Sequence, residues 1–154
     1  MNEAKEHDPW FGIEQEFFLF QSVGTGIEWP LGFPLGGYAA PQGRYYCGIG
    51  ANKSFGRKFV EEAVRCCLAV DLKVAGINSE VCAGQWEYQV GICKGMEITD
   101  HLWMTRYILE KLGEEYGICI NYDQKSAGKD WNGNAGHINF SCKESRAEGG
   151  IEWI

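Results

Sequence analysis

The 154-residue sequence is poor in features that mark several common protein classes. No uninterrupted apolar run exceeds a few residues, so the sequence predicts no membrane-spanning helix, and the polar first eight residues do not resemble a signal peptide. Basic residues number only 14 against 21 acidic ones, giving a net charge of -7. A negative field of this kind disfavours broad nucleic-acid or anionic-membrane surfaces. We therefore expect a cytoplasmic protein that binds neither nucleic acid nor membranes.

Paired cysteines at zinc spacing are also missing. The seven cysteines form no C-x-x-C pair and have no histidine nearby at the spacing of a zinc site. Their odd number in a sequence without a secretory signal predicts reduced residues that fill the core. They are Cys47, Cys66, Cys67, Cys82, Cys93, Cys119 and Cys142.

What the sequence does contain is typical of one folded core. Hydrophobic residues make up 45% and aromatic residues 14% of the chain. This length suits a single domain better than two. The segment Ser22 to Gly50 carries all but one of the four prolines and many glycines, which predicts a long irregular loop.

The remaining hydrophobic periodicity predicts an α+β fold, with helices on one face of a curved, mostly antiparallel sheet. Alternating segments predict strands, two of them forming a hairpin, and 3.6-residue periodicity predicts two amphipathic helices. The predicted strands are 9–20, 73–79, 85–92, 118–122 and 137–142. The predicted helices are 53–70, a second one capped near Thr99 and Asp100 that stops at Gly117, and a further helical start near Lys143.

The first strand, Pro9 to Phe20, places two carboxylates inside an apolar and aromatic run. Because strand side chains alternate, Glu14 and Glu16 share one face, while Ile13, Gln15 and Phe17 share the other. Buried carboxylates are costly unless a cation or hydrogen-bond donors satisfy them. A distant basic residue or a metal ion would do so, and a surface edge strand with two solvated glutamates is the alternative.

Three more groups in strand contexts extend this acidic set. A turn at Ala83 and Gly84 would bring Glu80 and Glu87 to the same end of a hairpin, and His137 shares a polar strand face with Asn139 and Ser141. Four glutamates and a histidine make a plausible cage for Mg²⁺ or Mn²⁺. Taken singly, the glutamates have a simpler interpretation as solvated hairpin residues, and His137 as a satisfied core histidine. We expect His7 and His101 to be surface residues.

Several motifs occur together in an order that resembles one enzyme family. They are PWFGIEQE, PQGRYYCGIGA, NSEV, GQWEYQVG, DHLW and WNG followed by His137 and NFS. In this order and spacing they resemble the catalytic domain of eukaryotic-type (class II) glutamine synthetase, from Pro9 to Ile154.

The resemblance implies an ATP-dependent ligase in which the glutamate side chain is phosphorylated and ammonia displaces the phosphate to form glutamine. It implies Mg²⁺ or Mn²⁺ held by Glu16, Glu80 and Glu87 toward glutamate and ammonia, and by Glu14 and His137 toward the ATP phosphates. The ATP-binding residues it implies are Trp10, Glu14, Glu87, Tyr88, Gln89, Val90, Gly91, Ile92, Asn139, Phe140 and Ser141. The glutamate-binding residues it implies are Asp130, Trp131, Asn132 and Gly133.

The sequence also departs from the family pattern. Residues 1–8 form a polar stub, and residues 9–154 resemble part of a catalytic domain, without the β-grasp domain that precedes it and the basic motif that follows it in the family. We expect the chain alone to be inactive. The resemblance also implies that full-length relatives form ring-shaped homo-oligomers. A family glycine is replaced by Ala135, which would strain a turn that needs a positive φ. A non-catalytic binding or structural relative and a ligase for another amine or acid remain alternatives.

Overall fold

The computed structural model describes residues 4–23 and 27–153. Within them, six strands and two α-helices follow one another, with a short 3₁₀-helix near each end. The first three residues of the predicted polar stub, residues 24–26 of the predicted loop and residue 154 lie outside this description. The elements are β1 (Trp10–Val23), β2 (Ile27–Pro30), α1 (Arg57–Ala69), β3 (Val74–Ser79), β4 (Gln85–Lys94), α2 (Glu97–Tyr116), β5 (Ile118–Asn121), β6 (Gly136–Ser141) and the 3₁₀-helices Lys5–His7 and Gly150–Glu152.

Strand β1 is the centre of the sheet because it pairs along both of its edges. One edge pairs with β4 and then β2, and the other pairs with β6 and then β5. Strand β3 extends the sheet beyond β4. Each pairing among the described strands is antiparallel, so the predicted α+β class with an antiparallel sheet is confirmed.

The helices cover the face of the sheet that carries the odd-numbered side chains of β1. Phe17 and Leu19 pack there with Phe59 of α1 and Leu109 of α2 in the main hydrophobic core. On the opposite face, Phe18 belongs to a smaller cluster beneath the loops. The predicted alternation of β1 is therefore correct, and it leaves Glu14 and Glu16 on the face that the helices do not cover.

The helix boundaries differ from the predicted ones for local reasons. Helix α1 begins at Arg57 rather than Lys53 because Gly56 adopts a φ of 84°, which a right-handed helix cannot contain. Helix α2 begins at Glu97, and Thr99 donates its hydroxyl to the Met96 carbonyl instead of capping the helix. Its end at Gly117, in the left-handed conformation, was predicted correctly.

Two other element predictions were wrong. The segment from Ser22 to Gly50 is not wholly a loop, because β2 pairs with the end of β1. No α-helix starts near Lys143; within the described residues that region forms turns and then the 3₁₀-helix at Gly150–Glu152. Neither α1 nor α2, nor any other helix in the described ranges, has the length and apolarity that crossing a bilayer requires.

Four of the seven cysteines fill the core as predicted. Cys67, Cys82, Cys93 and Cys142 are buried, and burial raises the pKa of the Cys67 thiol to about 11 and that of Cys82 to about 12. Cys47 is the clear exception because it is exposed, in a tight turn with a φ of 49°.

Candidate metal and substrate site

The strand register of β1 sets the geometry of the acidic face. Glu16 lies opposite Glu87 of β4, and Glu14 lies between Gln89 of β4 and His137 of β6. Directly opposed residues of antiparallel strands project to the same face with their side chains in reach of one another. One central strand thus gathers polar groups from both of its neighbours.

The first cluster consists of Glu16, Glu80 and Glu87, each of which is only 7% exposed. Each offers a carboxylate oxygen, and these oxygens lie within 4.8 Å of one another. Two donors hold the Glu80 carboxylate: the Asn78 side-chain amide at 3.1 Å and the Val81 N–H at 3.2 Å. The hairpin turn between β3 and β4 therefore orients Glu80 toward its two partners, as the sequence predicted.

The second cluster consists of Glu14, Glu87 and His137, whose ligand atoms also lie within 4.8 Å of one another. His137 Nδ1 is 3.5 Å from Glu14 Oε2, and the Asn139 amide donates to Glu14 Oε1 at 2.8 Å. This cluster is more open than the first, with Glu14 partly buried and His137 exposed. Glu87 belongs to both clusters and joins them.

The charges of the first cluster are not balanced by basic residues. In the described part of the chain, no Lys or Arg forms a salt bridge with Glu16, Glu80 or Glu87. Burial raises the pKa of Glu16, an effect that the Ala135 N–H partly offsets and the Glu87 charge reinforces. Burial also raises the pKa of Glu80, with the Glu16 charge adding to it.

This donor set fits a divalent cation. Carboxylate oxygens with one imidazole are ligands that suit Mg²⁺ and Mn²⁺, and a cation would relieve the repulsion among clustered buried carboxylates. The residues around the ligands also suit a metal site, because the Gln89 side-chain amide donates to the Glu87 carboxylate and, at 2.8 Å, to Asn78 Oδ1. Asn78 and Gln89 were not assigned this supporting role from the sequence.

A cleft of about 390 Å³ borders the second cluster. Most of the residues predicted to bind ATP line this cleft; they are Trp10, Glu14, Gln89, Val90, Gly91, Ile92, Asn139, Phe140 and Ser141. Tyr88 does not line it, because its ring is buried on the helix side, 5.7 Å from the Phe17 ring. Its hydroxyl receives a hydrogen bond from Thr105 at 3.1 Å.

The residues predicted to bind glutamate lie in the loop that precedes β6. Trp131 anchors this loop, with its ring 5.0 Å from Phe33 and stacked 6.2 Å from Tyr38. Gln42 holds the same loop by accepting the Asn132 N–H and donating to the Asp130 carbonyl. A pocket of about 340 Å³ lies here, lined by Tyr38, Pro41, Gln42, Asp130 and Trp131.

Ala135 causes none of the strain that a positive φ would bring. The non-glycine residues with positive φ among the described residues are Asp8, Cys47 and Asp71. Ala135 instead brackets Glu16: its N–H donates to Glu16 Oε2 at 2.9 Å, and its carbonyl accepts the Glu16 N–H at 3.1 Å. The turn therefore accommodates alanine and contributes to the site.

His7 and His101 lie outside both clusters. His7 is exposed, as predicted, and pairs with Glu144. His101 is more buried than predicted. It lies on the helix side of the molecule, where its Nδ1 accepts the Lys73 N–H at 2.9 Å.

Comparison with known proteins shows which family this chain resembles. A family model described as "Glutamine synthetase, catalytic domain" matches residues 1–148. The chain is 48% identical over 152 residues to "Glutamine synthetase N-1" of Phaseolus vulgaris, covering 99% of this chain and 42% of the relative. It is 49% identical over 146 residues to "Glutamine synthetase cytosolic isozyme 1-1" of Arabidopsis thaliana, covering 95% of this chain and 40% of the relative. With "Glutamine synthetase" of Agaricus bisporus the identity is 46% over 153 residues, 99% of this chain and 42% of the relative. The chain thus spans about two fifths of the length of these curated relatives.

Proposed function

Because this chain belongs to the glutamine synthetase family, we propose that it supplies the divalent-cation sites and part of the substrate sites for ATP-dependent ligation of ammonia to glutamate. The observation that carries the proposal is the convergence of five ligand side chains into two clusters that share Glu87. Paired divalent cations can stabilise both the attacking and the leaving oxygen of a phosphoryl transfer.

The two clusters have different proposed roles. Glu16, Glu80 and Glu87 hold a cation on the side of glutamate and ammonia, and Glu14, Glu87 and His137 hold one on the side of the ATP phosphates. Bound Mg²⁺ or Mn²⁺ would offset the charge on the transferring phosphoryl group and stabilise the alignment of donor and acceptor. The reaction passes through γ-glutamyl phosphate, from which ammonia displaces phosphate.

The cleft beside β6 is the proposed nucleotide site. Asn139, which holds Glu14, also faces the cleft, so one residue connects the nucleotide to its cation site. Gln89, Val90, Gly91 and Ile92 of β4 also line the cleft, as does Trp10. Glu87 and Tyr88 lie in the same strand without lining the cleft, and the Tyr88 side chain is buried on the helix side.

The loop Asp130–Gly133 is the proposed glutamate site. Gln42 and Trp131 hold this loop against the segment that follows β2, which fixes it beside the first cluster. The acidic net charge of the chain, -7, favours cations over nucleic acid as partners.

Residues 9–154 are proposed to be part of a catalytic domain whose relatives assemble into ring-shaped homo-oligomers. The names of several relatives describe cytosolic isozymes, and we place this protein in the same compartment. The alternative of a non-catalytic relative rested on a strained turn at Ala135, and the absence of a positive φ there removes that support.

A chimera tests the proposed function. Residues 9–148 of this chain would replace the matching segment of the Phaseolus vulgaris enzyme, and glutamine formation would be measured with ATP, ammonia and Mg²⁺. We expect activity that the Glu87→Ala variant of the same chimera lacks. A folded chimera that forms no glutamine, or whose activity survives Glu87→Ala, would contradict the proposal, and methylamine as competing substrate would reveal a ligase for another amine.

A further inference from the structure

Gln85 is the first residue of β4 and is completely buried. Its side chain lies on the same strand face as Glu87 and Gln89, because residues two apart along a strand share a face. A fully buried primary amide is costly unless its donors and its acceptor are all paired. Gln85 meets this requirement through groups that come from two separate parts of the chain, β1 and the loop before β6.

The contacts of Gln85 join the first acidic cluster to the loop before β6. Its Nε2 lies 3.3 Å from Glu16 Oε2, 3.1 Å from the Gly133 carbonyl oxygen and 3.4 Å from Asn134 Oδ1. Its Oε1 accepts a hydrogen bond from the Asn132 side-chain amide at 2.9 Å.

These partners determine the orientation of the amide. All the neighbours of Nε2 are acceptors, and the neighbour of Oε1 is a donor, so a flipped amide would oppose oxygen to oxygen at Glu16 and Gly133. Gln85 is thus held in one orientation, with its donors toward the carboxylate and its carbonyl toward Asn132.

The same Glu16 oxygen also accepts the Ala135 N–H. The turn from Asn132 to Ala135 is therefore attached to Glu16 twice: directly at its end, and through Gln85 at its beginning. Any change in the charge or position of that carboxylate acts on both attachments.

We propose that Gln85 is a positioning residue that couples the Glu16 carboxylate to the turn Asn132–Ala135, so that cation binding at the first cluster and the arrangement of the glutamate-binding residues depend on each other. This inference rests on the proposed function. By linkage, each event strengthens the other by the same factor. Residues that support metal ligands typically change metal affinity about 10- to 100-fold when replaced.

The test uses the purified chain and two substitutions. Gln85→Met keeps the side-chain length and removes the hydrogen bonds, and Asn132→Ala removes one end of the connection without touching Glu16. Gln21→Met, an exposed glutamine on β1, is the matched control. Circular dichroism establishes folding, electron paramagnetic resonance counts Mn²⁺ binding, and hydrogen exchange by mass spectrometry follows the segment from Lys125 to Ala135.

In the unmodified chain we expect two Mn²⁺ binding events and slower amide exchange in this segment when Mn²⁺ is added. Gln85→Met should weaken one event about tenfold, leave the other unchanged and abolish the Mn²⁺-dependent protection. Asn132→Ala should abolish the protection while changing Mn²⁺ affinity less. A loss of stability alone would not weaken one event selectively, and the Gln21→Met control should match the unmodified chain.

The outcomes separate this inference from the proposed function. If the unmodified chain binds no Mn²⁺, the proposed cation sites are wrong, and the coupling is overturned with them. If it binds Mn²⁺ at both sites but both variants keep normal affinity and protection, the sites stand and the coupling is wrong. If Gln85→Met does not fold, Asn132→Ala decides the question through the protection measurement.

Discussion

The guanidinium carbon of Arg146 lies 3.9 Å from the centroid of the Trp10 ring, close enough for a cation–π contact. The same guanidinium donates to the Asp8 carboxylate at 2.9 Å and to the Ser141 hydroxyl at 3.0 Å. The start of β1, the end of β6 and the turns after it are therefore joined at one end of the proposed nucleotide cleft. This contact fixes the Trp10 indole, which lines the cleft.

Replacing Arg146 by Met should loosen this junction. The variant loses the cation–π contact, worth about 1 kcal/mol when partly shielded from water, and we expect the free energy of unfolding to fall by at least that amount. Urea unfolding followed by circular dichroism measures it. Arg65→Met, which removes an exposed arginine paired with Glu62 on α1, should have a smaller effect. Equal effects of the two variants would show that the ring contact stabilises nothing.

The shared position of Glu87 predicts a distinct pattern of Mn²⁺ binding. Glu87→Ala should abolish both binding events, Glu80→Ala only the one at the first cluster, and His137→Ala only the one at the second. Titration of the free Mn²⁺ signal by electron paramagnetic resonance counts the events. His101→Ala should leave both intact, since His101 bonds to Lys73 on the helix side. Loss of binding in His101→Ala, or two retained events in Glu87→Ala, would show that the ligands are wrongly assigned.

Gly84 lies in the turn that places Glu80 beside Glu87, and it combines a φ of 72° with a close approach to the Leu31 carbonyl oxygen. A side chain there would collide with this oxygen. Gly36 has a similar φ of 70° and open space around it, so it is the matched control. Gly36→Ala should lower the free energy of unfolding by about 1 kcal/mol, because alanine is strained in the left-handed backbone conformation. Gly84→Ala should lower the free energy of unfolding by about 1–3 kcal/mol more than Gly36→Ala does, because its methyl group also collides with the Leu31 carbonyl oxygen.

Thermal and urea unfolding of the two glycine variants provide the comparison. Gly84→Ala should also weaken Mn²⁺ binding at the first cluster, whereas Gly36→Ala should not. Equal losses of stability would mean that the turn shifts freely and does not determine the position of Glu80.

The ion pair between His7 and Glu144 predicts that the stability of the fold depends on pH. The imidazole donates from Nδ1 to Glu144 Oε1 at 2.9 Å, which raises the pKa of His7 above 6.5 and lowers the pKa of Glu144 from 4.5 to about 2. The lowered carboxyl pKa stabilises the fold above pH 4.5, and this contribution is lost as the pH falls toward 2. The raised imidazole pKa stabilises it below pH 6.5, and this contribution is lost as the pH rises through the higher folded-state value.

The pair therefore contributes most between pH 4.5 and 6.5. Glu144→Gln should destabilise the chain in that window and have little effect at alkaline pH. Proton NMR titration should show the pKa of His7 returning toward 6.5 in this variant. Glu6→Gln is the control, because Glu6 lies farther from the imidazole, at 3.7 Å, and contributes least to its pKa shift. An unchanged His7 titration in Glu144→Gln would refute the pairing.

Alternation along strands was sufficient to predict which side chains share the acidic face. Glu14 and Glu16 had to face the same way once β1 was recognised as a strand, and the hairpin turn at Gly84 had to return Glu87 toward Glu80. Strand β2 could not be predicted in the same way, because its proline and the glycines around it indicated a loop, and pairing with β1 overrode that local preference.

The supporting residues were harder to find from the sequence. Gln85 was assigned no role, because its partners lie on another strand and in a loop whose approach depends on tertiary packing, and Gln89 was assigned only to the ATP site by resemblance. One signal was available: Gln85, Glu87 and Gln89 alternate with Trp86 and Tyr88, so the first half of β4 has a polar face opposite an aromatic one. A polar face that is buried in this way indicates side chains that hydrogen-bond to one another rather than to solvent.

The pairing of β1 along both edges has a consequence for how the chain reaches this state. Glu14 meets Glu87 only after a loop of more than seventy residues closes, and it meets His137 only after a loop of more than one hundred residues closes. Closing long loops costs entropy before the contacts repay it, so pairings of this kind form slowly. During synthesis β1 emerges before β4 and β6, so its apolar face stays exposed until both partner strands have been made. The acidic face is complete only once β4 and β6 have both paired with β1, so cation binding would report that these two pairings have formed.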